Sequence, residues 1–139
     1  MLRVVLDPAI LSVALRSAAG ASNALLREAA YRRLSLLLTA PLLAEYRQTL
    51  MDPEQRLAHG RMEEAIDRFV MAIAAAGELV QTSFQWRPWL ADPADELVVQ
   101  AAALGKADAL VTLRPRRFAA AEVHGLNATT PAMLLWRLR

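Results

Sequence analysis

Short uncharged runs alternate with amphipathic stretches along this chain. Leu2 to Leu6 is a β-branched and leucine run that stops at Asp7-Pro8, and Leu34 to Leu38 is a second. Such runs mark strands buried on both faces, although periodicity alone does not separate them from buried helix. Between them, Ala9 to about Ser17 reads as helix, and a second helix follows Gly20 and Ser22 through Arg33. Four further helices are predicted to open with one device. Thr39-Ala40-Pro41, Asp52-Pro53, Asp92-Pro93 and Thr130-Pro131 each set a capping side chain at or just before a proline, which the first helical turn tolerates. Asp52-Pro53-Glu54-Gln55 also has capping-box spacing. After a helix over Met62 to Ala76, a third strand is expected at Glu78 to Thr82 and a loop at 83–91. A helix over Pro93 to Leu104, a strand at Ala109 to Thr112, a weaker strand at Leu126 to Thr129 and a closing helix complete the pattern.

Strands alternating with helices imply right-handed crossovers and a mostly parallel central sheet of four to five strands covered on both faces. The expected fold is α/β, a three-layer α/β/α sandwich. No repeat, low-complexity tract or Gly/Ser linker divides residues 1–139, which read as a single domain. In such sheets, sites gather beyond the carboxyl ends of the strands.

Composition narrows the chemistry. The chain has no cysteine, which excludes disulfides and thiolate-bound zinc or iron–sulfur centres. Its net charge is only +2, from 16 basic and 14 acidic residues, so bulk charge does not announce a nucleic-acid binder. The apolar stretch before Asp7 is shorter than the ~7–15 residues of a secretory core. Charges interrupt every later apolar run before the ~18 residues of a membrane span. A cytoplasmic location without membrane association is expected.

Three carboxylates stand out. Asp7 follows the first strand, and Pro8 biases it toward extended backbone; it either projects into the crevice or caps the next helix. Glu45 borders the apolar stripe formed by Leu42, Leu43, Tyr46 and Leu50, a position that also suits a solvated residue. Asp95 shares a helical face with Val98, Val99 and Ala102, where a carboxylate must be paired, hydrogen-bonded or bound to a cation. Asp92 has a ready role as a cap, and Glu96 is expected to face solvent. If the three acids converge, protonation, basic partners or a divalent metal must offset their repulsion, and hard oxygen donors favour Mg²⁺ or Mn²⁺ over zinc.

In this order the residues resemble the PIN-domain family, in its bacterial branch of toxin components of toxin–antitoxin systems. Val4-Val5-Leu6-Asp7, followed by Ile10-Leu11-Ser12-Val13-Ala14-Leu15, resembles the family's opening. Thr39-Ala40-Pro41-Leu42-Leu43-Ala44-Glu45 is similar to the segment bearing its second acid, and Asp92-Pro93-Ala94-Asp95-Glu96 to that bearing the third. Ala107-Asp108-Ala109-Leu110-Val111-Thr112 resembles the strand after it, and Thr130-Pro131-Ala132 the start of the closing helix. The resemblance implies a parallel α/β/α fold and metal-dependent cleavage of RNA phosphodiesters. Asp7, Glu45 and Asp95 would be the catalytic, Mg²⁺- or Mn²⁺-binding acids, and Thr112 would sit at the rim. It also implies an RNA substrate and a cognate antitoxin protein covering the crevice.

The chain departs from that pattern in two places. Pro8-Ala9 replaces the family's usual Thr-Asn, and Arg114 and Arg117 stand where acidic or amide side chains usually precede the phenylalanine, here Phe118. A fourth acidic position has become basic. Arg117 has the charge to pair with Asp7 or Asp95 and replace a metal. Arg114, Arg116 and Arg117 are the densest basic cluster. They read either as phosphate contacts, with Trp86 and Trp89 as stacking partners for bases, or as a solvated loop with two packed tryptophans. His59 and His124 lack metal or triad spacing and read as surface residues. The alternative to a weakened ribonuclease is a catalytically inactive PIN-like domain that binds RNA or a protein partner. A receiver-like domain would also place acids at strand ends, but Lys106 precedes a strand, where a receiver has its lysine after one. The apolar fraction is compatible with a homodimer.

Overall fold

The computed structural model describes residues 1–83 and 85–138; of the expected 83–91 loop, Phe84 lies outside the described residues. Five strands form one sheet: β1 (Leu2–Leu6), β2 (Leu34–Leu38), β3 (Glu78–Leu79), β4 (Ala109–Val111) and β5 (Ala128–Thr129). Their order is β3-β2-β1-β4-β5, and every pairing is parallel. Flanking helices complete an α/β/α sandwich. Helices α1 (Pro8–Arg16) and α2 (Ala21–Ala30) join β1 to β2, and α3 (Ala40–Met51), α4 (Pro53–His59) and α5 (Glu63–Ala76) join β2 to β3. Helix α6 (Pro93–Leu104) carries the chain back across the sheet and packs on β1, β2 and β4. A 3₁₀ segment (Pro115–His124) joins β4 to β5, and α7 (Pro131–Arg137) follows.

The central strand explains the architecture. Val4, Val5 and Leu6 are fully buried, as are Leu37, Leu110 and Val111 on the neighbouring strands, so β1 is covered on both faces. The chain first winds outward from β1 through β2 to β3, then returns to add β4 and β5 on the other side. That reversal leaves a switch point between the carboxyl ends of β1 and β4. Among the described residues no single helix is long and apolar enough to cross a membrane.

Local chemistry sets the boundaries. Thr39, Asp52, Asp92 and Thr130 all accept backbone N–H groups at the starts of α3, α4, α6 and α7. The capping box at Asp52 does not close, because the Gln55 carbonyl oxygen accepts the Ser12 hydroxyl instead. Helix α2 stops at Ala30 rather than Arg33. Arg32 takes a left-handed φ of 60°, while Arg32 and Arg33 N–H donate back to Ala29 and Glu28. Strand β3 is two residues long instead of reaching Thr82, because its partner β2 ends at Leu38 and Thr39 turns away to cap α3. Strand β5 is similarly short, since Leu126 N–H bonds Ala121 rather than the ladder. The 3₁₀ segment, which lacks an apolar period to announce it, occupies what reads as an arginine loop.

Candidate active site

Asp7 extends β1 by one residue: its N–H donates to Val111 O at 2.8 Å. The backbone there is extended, at φ −63° and ψ 138°, and the side chain makes no cap bond to α1. Its Oδ2 instead accepts the Thr112 hydroxyl at 2.8 Å. Thr112 is fully buried and held by its own N–H on Thr129 O, so the pair bridges the switch point between β1 and β4. Thr112 Oγ1 also accepts Arg114 N–H, which turns the chain after β4 toward the crevice. On the other side of Asp7, the buried Tyr46 hydroxyl donates to Leu6 O at 2.6 Å and fastens α3 to the end of β1. Burial, and then the Asp7 charge, push the Tyr46 pKa upward, keeping it a neutral donor.

Asp95 arrives from α6. Asp92 Oδ1 caps the helix by accepting Ala94 and Asp95 N–H, which fixes the first turn. Asp95 is 8% exposed among apolar neighbours, as its helical face predicts. Arg117 supplies the partner. Its Nε and Nη2 donate to Asp95 Oδ2 at 3.1 and 2.7 Å, and Nη2 also reaches Asp92 Oδ2 at 3.5 Å. Both bonds to Asp95 fall on one oxygen, so this is an end-on clasp rather than a two-oxygen fork. Desolvation holds the Asp95 carboxyl above the usual carboxylate range, against the lowering pull of Arg117; the Asp92 and Asp7 charges add to the rise. Asp95, Asp92 and Asp7 in turn raise the Arg117 pKa, so Asp7, Asp95 and Arg117 share one electrostatic neighbourhood.

Glu45 sits differently. It is half-buried on α3 and lines a hollow of about 350 Å³ with Gln48, Asp52, Thr49 and Gln55. Asp7 lines a separate cavity of about 300 Å³, and the two share Thr49 and Gln55 as a common wall. Asp95 is linked to Asp7 by charge and through Arg117, which lines the Asp7 cavity, while Glu45 opens into the hollow next door. Among the described residues no group of three His, Asp or Glu side chains is arranged to hold a metal ion. Thr112 occupies one Asp7 oxygen and Arg117 one Asp95 oxygen. As arranged, this donor set does not fit a divalent cation; a guanidinium takes the place of the charge.

Arg114 lines the Asp7 cavity with Arg117, whereas Arg116 is exposed and lies outside its lining. Arg16, at the end of α1, lines the same cavity and escapes the sequence reading. Its signal is the series Ala9, Ser12, Val13 and Arg16, which places one face of α1 on the crevice.

Glu96 turns inward, not to solvent. Its carboxylate accepts Trp86 Nε1–H and the backbone N–H groups of Trp89 and Leu90, pinning that loop to α6. Trp86 and Trp89 pack against the core and each other, with Trp89 stacked on His124 at 3.7 Å. That favours the packed-tryptophan reading over a base platform. His59 is buried rather than at the surface: one ring nitrogen meets Leu50 O and the other accepts Arg61 N–H.

The sequence pattern of the PIN domain family matches residues 3–113. The chain belongs to the PIN domain family. Comparison with curated proteins and with solved structures gave no match. PIN domains are typically nucleases acting on nucleic acid, and those nucleases generally use divalent metals. The matched span takes in Asp7, Glu45, Asp95 and Thr112 and ends at Leu113, one residue before Arg114. The PIN pattern therefore covers the acids but not the arginine that clasps one of them.

Proposed function

We propose that this PIN domain is a ribonuclease, the toxin component of a toxin–antitoxin pair, hydrolysing RNA phosphodiester bonds in the crevice between Asp7 and Asp95. The observation that carries this reading is Asp7 in a cavity walled by Arg16, Arg114 and Arg117 at the switch point of a parallel sheet, with Asp95 held on Arg117. A phosphodiester needs cations to hold its charge and a group to move protons between water and the leaving oxygen. Arg114 supplies a cation. Asp95, with its carboxyl held above the usual range, is suited to proton transfer. Thr112 and Tyr46 keep the strand ends in place, and Glu45 is the third acid beside the shared wall. The second partner is an antitoxin segment covering the crevice.

Mg²⁺ or Mn²⁺ enters this reading as a competitor of Arg117 for the same carboxylates. Arg117 on Asp95 also favours a second reading, a non-catalytic relative that binds RNA or a protein partner. One experiment separates them. Arg117→Asp should gain a Mn²⁺-dependent rise in melting temperature that Arg117→Asp/Asp95→Asn lacks, and should cleave single-stranded RNA faster than wild type. Loss of cleavage in Asp7→Asn and Asp95→Asn would assign it to this crevice. If neither wild type nor Arg117→Asp cleaves RNA in Mn²⁺ during long incubation, the ribonuclease reading fails and the binding reading stands.

A further inference from the structure

The cavity beside Asp7 carries more positive charge than the fold consumes. Of its three arginines, Arg117 is committed to Asp95 and Asp92. Arg16, from α1, and Arg114, after β4, have no hydrogen-bond or ion-pair partner for their guanidinium groups among the described residues, and both are exposed. They come from separate elements and are brought to one cavity of about 300 Å³. The neutral wall mixes Ser12, Thr49 and Gln55 with Ala9, Val13 and Leu113; among the described residues Asp7 is the one carboxylate in the lining. Two uncommitted guanidiniums and one carboxylate in the same lining leave a net positive pocket with donors to spare.

We propose that Arg16 and Arg114 form a phosphate subsite that holds one phosphate group of a single-stranded nucleic acid next to Asp7. A guanidinium presents paired N–H donors that match phosphate oxygens. The volume is at the small end of ligand pockets, about 300–1,000 Å³, which suits a single nucleotide unit and not a duplex segment. Because a phosphate carries no base information, the subsite reads position rather than base identity. It rests on the nuclease reading for its ligand class, but binding is separable from cleavage.

The test uses the full chain without added metal and three probes: inorganic phosphate, and a short oligodeoxyribonucleotide with either a 5′-phosphate or a 5′-hydroxyl. The DNA probe resists any ribonuclease activity, so failure of cleavage leaves the binding result intact. Arg16→Ala and Arg114→Ala should each weaken oligonucleotide binding about tenfold and lower the salt dependence by about 0.7 in log–log slope. Arg61→Ala, which removes an equal charge from the α4–α5 turn, should leave affinity within about twofold. Inorganic phosphate should compete with the oligonucleotide in wild type. A preference for the 5′-phosphorylated probe would assign the subsite to a terminal phosphate, and equal affinity would assign it to an internal phosphodiester. Unchanged binding in Arg16→Ala and Arg114→Ala, or an equal loss in Arg61→Ala, would overturn the proposal.

Discussion

At the amino ends of the strands, Arg3 donates to both oxygens of Glu78, at 2.9 and 3.3 Å, and to Gly105 O at 2.7 Å, while its own N–H meets Asp108. At the carboxyl ends, Arg117 clasps Asp95 and Asp92, but the Arg16 and Arg114 guanidiniums remain uncommitted among the described residues around a cavity. Both borders are rich in arginine and carboxylate. The first closes on itself in solvent and ties β1, β3 and the start of β4 together. The second holds one desolvated acid and two spare cations. Charge alone does not separate a clamp from a binding site; burial and leftover donors do.

Three substitutions probe that contrast, in order of expected effect. Glu96→Ala should cost most, about 2–4 kcal/mol by chemical denaturation, because Trp86 Nε1–H and two backbone N–H groups lose a charged acceptor. Such a loss would mean that the carboxyl border draws its stability from this anchor rather than from its ion pair. Arg117→Ala should cost about 1–2 kcal/mol at neutral pH, below the figure for a fully buried pair because its side chain is 43% exposed. Its pH dependence has a definite sign. Removing Arg117 takes away the group that lowers the Asp95 pKa, so that pKa, already above the ordinary value, rises further. A raised carboxyl pKa stabilises the fold below the unfolded value and loses that contribution as pH rises through the folded one. The deficit of Arg117→Ala should therefore shrink as the pH is lowered toward 4 (~ the unfolded carboxyl value), and melting curves at stepped pH would read it. Arg3→Met should move the melting midpoint least, within replicate scatter, since an exposed pair adds little. A larger loss in Arg3→Met than in Arg117→Ala would break the contrast.

Much of this was legible before any coordinates, for reasons that differ by feature. The caps at Thr39, Asp52, Asp92 and Thr130 are short-range chemistry, so the sequence states them directly. The central strands announce themselves as uncharged runs because both of their faces are covered. Asp95 betrays its burial through the apolar face it shares. Glu96 does not, because its donors belong to a loop whose return onto α6 has no local signal. Gln55 has capping-box spacing yet serves Ser12, a partner 43 residues away. Arg16 joins the crevice along one face of α1, and the Asp7 and Glu45 hollows share Thr49 and Gln55, which no spacing rule places between two cavities. Packing between distant elements is where residue order falls silent.

The strand order has a consequence for the growing polypeptide. Asp7 waits for Thr112, 105 residues later, and Asp95 for Arg117. As a ribosome extends the chain at about 5–20 residues per second, the first three strands can assemble while this crevice still lacks one wall. Whatever chemistry the crevice performs is switched on only after Thr112 and Arg117 have emerged and β4 has docked beside β1.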